Sequence, residues 1–206
     1  MVDDPSVDLV VEVMGGLEPA RSLILRAIAA GKPVVTANKA VIARYGEEIA
    51  AAAAARGVYV LIEAAVGGGI PIIEPLKQSL GSNRIQRVSG IINGTTNYIL
   101  SRMAAEGAAY ADVLSDAQRL GYAEADPAAD VEGGDAADKI AILAGLAYGG
   151  AIERSRIPTQ GIDRLEARDV DYAAQLGFVV KLLAVAQHVG TAADGHAELD
   201  VSVNPT

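Results

Sequence analysis

Six carboxylates and a single lysine are crowded into residues 121–139, GYAEADPAADVEGGDAADK. The carboxylates are those of Glu124, Asp126, Asp130, Glu132, Asp135 and Asp138. The lysine is Lys139, and the apolar stretch that follows it carries no charge until Glu153. One interpretation is a solvated acidic loop. The other is a site in which loop carboxylates bind the ammonium group of a small molecule and the lysine moves a proton.

The position of the lysine on its helix favours the second interpretation. At about 100° per residue, a helix over residues 135–148 places Asp135 and Lys139 on one stripe with Ile142, Leu143 and Leu146. An ordinary i,i+4 ion pair lies on the wet face of a helix, where it adds only a few tenths of a kcal/mol. This pair instead begins a helix that is apolar all round, which is typical of a buried helix. Burying an ion pair costs desolvation unless other groups compensate, so a partly buried structural salt bridge stays open as the alternative.

Composition excludes several classes of function. The 206 residues hold 17 basic and 26 acidic side chains, and the net charge of 17 − 26 = −9 with 4% aromatic residues disfavours nucleic-acid binding. The chain has no cysteine, which excludes thiol catalysis and thiolate metal sites and fits a reducing, cytoplasmic location. No apolar run approaches the length of a membrane span, so no membrane partner is expected. His188 and His196 have no acidic neighbours at metal-binding spacing and are interpreted as structural or surface residues.

Residues 7–66 show short apolar runs that alternate with helical patterns. We predict strands over 7–16, 33–38 and 58–66, and helices over 18–33 and 39–57. Short apolar strands alternating with helices are typical of a parallel sheet with crossover connections. The pattern β-α-β-α-β is half of a doubly wound nucleotide-binding fold, so we predict an α/β fold with a partial Rossmann-like sheet in residues 1–66.

A second, α+β domain is predicted for residues 67–206, after a cluster of glycines at 67–69. We predict helices over 71–81, 95–107, 110–121, 134–148 and 169–176, and strands over 84–93, 175–189 and 196–206. The strand at 84–93 alternates polar and apolar residues, as expected for a sheet with one face covered by helices.

A dinucleotide fold normally opens with a strand and a Gly-x-Gly-x-x-Gly turn that holds a pyrophosphate. No such turn precedes residue 7, and the chain stops directly after a strand-like run. We therefore expect the sequence to be a piece of a longer polypeptide.

The segment 121–139 resembles the signature segment of homoserine dehydrogenases. The residues at the family's spacing are Gly121, Asp126, Pro127, Asp130, Gly133, Asp135 and Lys139. Three more segments resemble the same family in the same order: TANK (36–39), EAAVGGGIPII (63–73) and GIINGTTNYIL (90–100). The resemblance extends from about residue 7 to the end of the chain.

The resemblance implies the reversible, NAD(P)H-dependent reduction of L-aspartate 4-semialdehyde to L-homoserine, a step in threonine, methionine and isoleucine biosynthesis. It implies NADP or NAD as cofactor, a bound monovalent cation (Na⁺ or K⁺), and a homodimer formed through the sheet of the substrate domain. It also implies that the nucleotide domain is completed by segments before and after this sequence.

Carried over by motif position, the resemblance assigns roles to individual residues. Lys139 is implied as the acid/base, oriented by Asp135, with Lys39 beside the cofactor and the reacting centre. The implied substrate-binding residues are Glu124, Asp130, Asp135 and Thr95. The implied cofactor-binding residues are Gly15, Gly16, Thr36, Asn38, Lys39, Asn93 and Gly94. The implied cation ligands, chiefly through main-chain oxygens, are Glu63, Val66, Gly68 and Ile70.

Plainer alternatives accompany these implications. Residues 93–96, NGTT, are also explained by simple capping of the helix by Thr95 or Thr96. The glycine cluster is also explained by a tight turn between domains. At the level of the whole chain, the alternatives are another two-domain NAD(P)-dependent reductase, or a non-catalytic fragment that only folds and dimerises.

Overall fold

The computed structural model describes residues 2–192, 195 and 197–206, so His196 lies outside the described residues. The chain forms two compact units. The first holds the described residues up to Ile85 together with Ala141–Ser155, and the second holds Gln86–Ile140 and the described residues from Arg156 onward. The domain division predicted after residue 66 stays a prediction.

The first unit contains a parallel three-stranded sheet with the order β1-β2-β3. Its elements are β1 (Val10–Glu12), α1 (Ala20–Ala29), β2 (Val34–Thr36), α2 (Lys39–Arg56) and β3 (Val60–Leu61). The predicted β-α-β-α-β order and parallel sheet are therefore confirmed. The second helix follows its sequence signals at both ends: the Asn38 side chain accepts a hydrogen bond from the Val41 N–H, and Gly57 ends the helix at φ 66°.

The strands of this unit are shorter than predicted. β1 ends at Glu12 because the Met14 N–H turns back to donate to the Glu12 carboxylate, 2.8 Å away, and Gly15 and Gly16 then adopt left-handed backbone conformations. β3 ends at Leu61, because the chain turns into a short 3₁₀ helix at Glu63–Ala65.

The helix predicted over 71–81 was placed in the right region with the wrong extent and type. The structure has a π-helix at Pro75–Ser79, in which the Leu80 N–H donates to the Pro75 carbonyl at 2.8 Å. The preceding N–H groups, those of residues 72–74, donate to the Glu63 side chain instead of to helix carbonyls.

Apolar side chains of both helices form the core of the first unit. Ile24 and Ile28 of α1, Val41 and Ile49 of α2, and Val34 of the sheet are all fully buried. Burying each of these aliphatic side chains contributes roughly 1.5–3 kcal/mol. The sheet is thereby held against the two helices, which fixes the carboxyl ends of β1 and β2.

The second unit is built on an antiparallel sheet with the order β4-β5-β6. Its strands are β4 (Arg87–Gly90), β5 (Leu182–Thr191) and β6 (Ala197–Pro205). The remaining helices of the described chain are α3 (Gly94–Glu106), α4 (Tyr110–Arg119), α5 (Ala128–Val131), α6 (Gly134–Tyr148) and α7 (Ala167–Gln175), with a 3₁₀ turn at Arg154–Arg156. The predicted mixed α/β class is confirmed, and α5 is an addition, because it is a single turn inside the segment interpreted as a loop.

Close packing fixes the start of α6. Gly133 has φ 86°, and a Cβ atom there would lie 2.9 Å from Thr159 Cγ2. Gly161 packs against the end of α5, where a side chain would overlap the Val131 carbonyl oxygen. The chain therefore needs glycine at these two positions to bring α5 and the first turn of α6 onto the body of the unit.

Within the part of the chain that the structure describes, none of the helices combines the length and the apolar character needed to cross a bilayer.

Candidate active site

Asn93 organises the N-terminus of α3 between the end of β4 and the first helical turn. Its Oδ1 accepts the Thr96 N–H at 2.8 Å, so the side chain is the N-cap of the helix. The residue is only 6% exposed. The expectation that Thr95 or Thr96 caps this helix is therefore wrong in its residue, because the cap is the Asn93 side chain, whose amide NH₂ makes further contacts.

The amide NH₂ group of Asn93 joins two carboxylates of the acidic segment. Nδ2 donates to Asp130 Oδ1 at 2.7 Å and to Asp135 Oδ2 at 2.9 Å. The Thr95 hydroxyl lies 3.0 Å from Asp130 Oδ2 and 2.9 Å from the Tyr122 carbonyl, and both oxygens are acceptors for its proton. The start of α3 is thereby tied to α5 and to the first turn of α6.

Lys139 lies one turn further along α6, with its side chain 18% exposed. Its Nζ donates to Asp135 Oδ2 at 2.6 Å and to the Ile92 carbonyl at 2.8 Å. An ammonium group has three protons, and among the described residues only these two acceptors are hydrogen-bonded to Nζ. The lysine is therefore held in place by the protein while one N–H remains for another acceptor.

Glu124 differs from the other carboxylates of the predicted site. It is exposed, and its side chain makes no hydrogen bond with the described residues, although its backbone carbonyl accepts from Gln118 Nε2 at 3.1 Å. Asp130 is half-buried and is held by Asn93 and Thr95. Of the three carboxylates predicted to bind substrate, Glu124 is therefore exposed, whereas Asp130 and Asp135 are held by hydrogen bonds from neighbouring side chains.

Asp138 is a buried acidic residue to which the sequence reasoning gave no role. Its exposure is 7%, comparable to the 8% of Asp135. The available signal was its place in the first turn of a helix that is apolar all round, where any charged side chain is buried.

In the first unit, a second polar network lies at the carboxyl ends of β1 and β2. The Thr36 hydroxyl donates to Glu12 Oε2 at 2.6 Å and accepts the Asn38 N–H at 2.9 Å. Asn38 Nδ2 in turn donates to the Gly16 carbonyl at 2.8 Å. All three side chains are buried, so this network fixes the turn at Gly15 and Gly16.

Glu12 was missed by the sequence reasoning, although an acidic residue inside an apolar strand is a signal of a buried, hydrogen-bonded carboxylate. Gly15 and Gly16 are exposed, have φ values of 76° and 72°, and have open space where side chains would stand. This edge of a parallel sheet is where doubly wound folds bind nucleotides. Lys39 follows directly as the half-buried first residue of α2.

The glycine cluster at 67–69 forms a loop anchored by the Glu63 side chain. The Glu63 carboxylate accepts the N–H groups of Ile72, Ile73 and Glu74 at 2.8, 3.0 and 2.8 Å. Burial alone would raise the pKa of this carboxyl, but the three backbone donors outweigh burial and lower the pKa below its ordinary value.

The main-chain oxygens of this loop have the chemistry that a hard monovalent cation prefers. Among the described residues, the Val66 and Gly68 carbonyls accept no hydrogen bond, and Gly68 adopts φ 60°. Carbonyl oxygens suit Na⁺ and K⁺. No cluster of acidic or histidine side chains that could hold a metal ion is found in the described part of the chain.

Two family models match this chain in succession. Residues 1–63 match the model described as homoserine dehydrogenase, NAD binding domain. Residues 71–206 match the model described as homoserine dehydrogenase.

Curated relatives support the same assignment over the whole chain. A homoserine dehydrogenase of Synechocystis sp. is 64% identical over 206 residues, which are 100% of this chain and 47% of that protein. A homoserine dehydrogenase of Corynebacterium glutamicum is 48% identical over the same span, with 46% of that protein covered. The chain therefore spans about half the length of the curated relatives it matches.

Solved structures of homoserine dehydrogenases are also similar to this chain. A homoserine dehydrogenase from Thiobacillus denitrificans is 54% identical with a TM-score of 0.94, and the match covers 100% of this chain and 46% of that one. A hyperthermophilic archaeal homoserine dehydrogenase in complex with NADPH is 29% identical with a TM-score of 0.77, covering 95% of this chain and 55% of that one.

Proposed function

This chain belongs to the homoserine dehydrogenase family, and from that premise we propose that it carries the substrate-binding and proton-transfer residues of an enzyme that interconverts L-aspartate 4-semialdehyde and L-homoserine. The observation that supports the proposal most directly is the geometry of Lys139. Its ammonium group is fixed by Asp135 and by the Ile92 carbonyl, and one N–H remains for a substrate oxygen.

The chemistry requires a positive charge and a proton at one oxygen atom. A reduced nicotinamide, when bound, supplies hydride to the aldehyde carbon. As the carbonyl oxygen gains negative charge, the Lys139 ammonium stabilises it and donates a proton from Nζ, which gives the alcohol. The neutral amine then regains a proton from solvent. In the reverse direction the amine of Lys139 accepts the proton of the homoserine hydroxyl.

We assign Asp135 to the orientation of Lys139, because its Oδ2 is 2.6 Å from Nζ. The remaining carboxylates suit the amino end of the substrate. Glu124 has an exposed side chain without a protein partner among the described residues, so it is available to an ammonium group. We assign Asp130 and Thr95, which are hydrogen-bonded to each other, to the same substrate.

For the cofactor, we propose binding at the carboxyl ends of β1 and β2. Gly15 and Gly16 leave that edge free of side chains, and the network through Thr36 and Asn38 makes the turn rigid. Lys39, at the N-terminus of α2, is proposed to lie beside the nicotinamide. We also assign Gly94 to the cofactor, because it is the exposed first residue of α3 and the N-terminus of a helix favours negative charge.

For the monovalent cation, we propose the main-chain oxygens of residues 63–70, with Glu63, Val66, Gly68 and Ile70 as the ligand positions. The loop fits because the Glu63 side chain is engaged by backbone donors and the Val66 and Gly68 carbonyls accept no hydrogen bond among the described residues. The cation would hold the loop rather than take part in proton transfer.

The remaining proposals concern the whole protein. We propose that residues 1–66 and 67–206 act as the nucleotide-binding and substrate domains, that the protein forms a homodimer through the antiparallel sheet, and that it works in the cytoplasm on free amino acids. The absence of cysteine supports the last proposal.

The experiment that tests the function is a nicotinamide absorbance assay with homoserine and NADP or NAD. The unaltered protein is compared with Lys139→Ala and with Lys77→Ala, a control that removes an exposed lysine whose ammonium group forms an ion pair with Glu74 at the protein surface. We expect Lys139→Ala to lose turnover by about 100-fold or more and Lys77→Ala to retain it. Oxidation of another alcohol but not of homoserine would favour a different reductase, and failure of the unaltered protein to bind cofactor would favour a non-catalytic fragment.

A further inference from the structure

We infer that Asn93 is a positioning residue for Lys139, acting through Asp135, rather than a ligand of the cofactor. The inference deepens the proposed function and rests on it for its kinetic consequence, but its structural part stands on the contacts of Asn93 alone.

The orientation of the Asn93 amide is fixed by its neighbours. Oδ1 faces the Thr96 N–H at 2.8 Å and the Thr96 hydroxyl at 2.9 Å. Nδ2 faces two carboxylate oxygens, of Asp130 and Asp135. A flipped amide would place its oxygen against two anionic oxygens and its NH₂ against an N–H, so only one orientation satisfies the site.

This orientation uses the whole donor capacity of the amide. Each of the two Nδ2 protons has a carboxylate acceptor, at 2.7 and 2.9 Å, and the residue is 6% exposed. A ligand would have to break one of these bonds to a charged acceptor, which are among the stronger hydrogen bonds in proteins. Both N–H donors of the Asn93 side chain are therefore used in hydrogen bonds within the protein.

Two donors share one oxygen of Asp135. Oδ2 accepts from Asn93 Nδ2 at 2.9 Å and from Lys139 Nζ at 2.6 Å. Asn93 thus fixes the oxygen that in turn fixes the ammonium group. The second acceptor of Lys139 is the carbonyl of Ile92, the residue directly before Asn93. Both acceptors of the Lys139 ammonium group therefore depend on the chain at residues 92–93. Because the three N–H bonds of an ammonium group point in tetrahedral directions, fixing two of them also fixes the direction of the third.

The test needs a variant that keeps the helix cap and loses the bridge. Asn93→Ser does this, because serine is a strong N-cap residue and has no NH₂ group that could reach two carboxylates. The control for a general weakening of α3 is Gly107→Ala at the opposite end of the helix. Gly107 has φ 66° and open space around it, so alanine there strains only the backbone.

The first readout does not depend on turnover. The rate at which an amine-directed acylating reagent labels Lys139 is followed by peptide mass spectrometry. We expect Asn93→Ser to raise this rate roughly fivefold, the factor that corresponds to one net hydrogen bond, and Gly107→Ala to leave it unchanged. Equal labelling of Lys139 in Asn93→Ser and in the unaltered protein would overturn the inference, whatever the enzyme assay shows.

The second readout separates positioning from binding. With homoserine as substrate, we expect Asn93→Ser to lower kcat by about 10- to 100-fold with little change in KM for the cofactor. A raised KM for the cofactor with an unchanged kcat would instead identify Asn93 as a cofactor ligand and contradict the inference. Absence of turnover in the unaltered protein would count against the proposed function, while the labelling result would still decide the role of Asn93.

Discussion

Lys139 Nζ and Asp135 Oδ2 are 2.6 Å apart, one helical turn from each other at the start of α6. Their side chains are 18% and 8% exposed, so the pair is largely removed from water. A buried ion pair is costly unless other groups compensate. Asn93 and the Ile92 carbonyl provide that compensation, which distinguishes this pair from the exposed ion pairs elsewhere in the described chain.

Glu124→Gln tests whether the exposed carboxylate binds the substrate ammonium. We expect KM for homoserine to rise about tenfold or more, as for loss of a hydrogen bond to a charged group, with little change in kcat or thermal stability, because Glu124 is exposed and has no side-chain partner among the described residues. Steady-state kinetics and a thermal melt measure the two effects.

The matched control is Asp126→Asn in the same acidic segment. The Asp126 carboxylate caps only its own turn, accepting the Ala128 N–H at 3.1 Å. The assignment of Glu124 would be wrong if both variants raised KM equally, because general negative charge of the segment would then account for substrate binding.

Thr36→Val tests the network at the carboxyl ends of β1 and β2. The variant keeps the shape of the side chain and removes the donor to Glu12 Oε2, leaving a buried carboxylate oxygen without that partner. We expect the free energy of unfolding to fall by about 1–3 kcal/mol and the affinity for the nicotinamide cofactor to fall with it, measured by urea denaturation and by fluorescence titration.

Thr36→Ser keeps the hydroxyl and serves as the comparison. A Thr36→Ser protein as weak in cofactor binding as Thr36→Val would show that the methyl group, not the hydrogen bond, matters at this position.

Glu63→Gln tests the anchor of the glycine loop through its pH dependence. The folded-state pKa of Glu63 lies below the ordinary value of 4.5. A group with a depressed folded pKa contributes stability that is present above its unfolded pKa and is lost as pH falls through the folded pKa. We therefore expect Glu63→Gln to lower the melting temperature at neutral pH, and the difference from the unaltered protein to shrink below pH 4.5.

Glu47→Gln removes an exposed carboxylate that makes no hydrogen bond or ion pair with the described residues. Its melting temperature is expected to follow that of the unaltered protein at every pH. If the difference in melting temperature between Glu63→Gln and the unaltered protein stayed constant from neutral to acidic pH, the assignment of Glu63 as a charged anchor of the loop would be contradicted.

Hydrophobic periodicity and the positions of glycine and proline were sufficient to predict the helices and strands that carry the candidate site. The β-α-β-α-β order follows from alternating apolar runs, and the boundaries of α6 follow from Gly134 and from the apolar stretch after Lys139. Strand ends were harder to predict, because β1 is stopped at Glu12 by a side chain that accepts the N–H of Met14, and no propensity scale contains that contact.

The role of Asn93 shows why the rest could not be predicted. Its two carboxylate partners lie 37 and 42 residues away in sequence, and no local pattern connects them. From the sequence, Asn93 was expected to contact the cofactor, and the cap of α3 was expected to be Thr95 or Thr96. Only tertiary packing of α3 against α5 and α6 distinguishes a third role.

The most direct test of the central claim is chemical rescue of the Lys139→Ala protein by small primary amines. If Lys139 supplies the proton to the substrate oxygen, homoserine oxidation by the variant should rise in proportion to added methylamine or ethylamine, and should depend on the basicity of the amine. The Glu124→Gln protein should show no such response. A Lys139→Ala protein that turns over homoserine as fast as the unaltered enzyme without any amine would contradict the account.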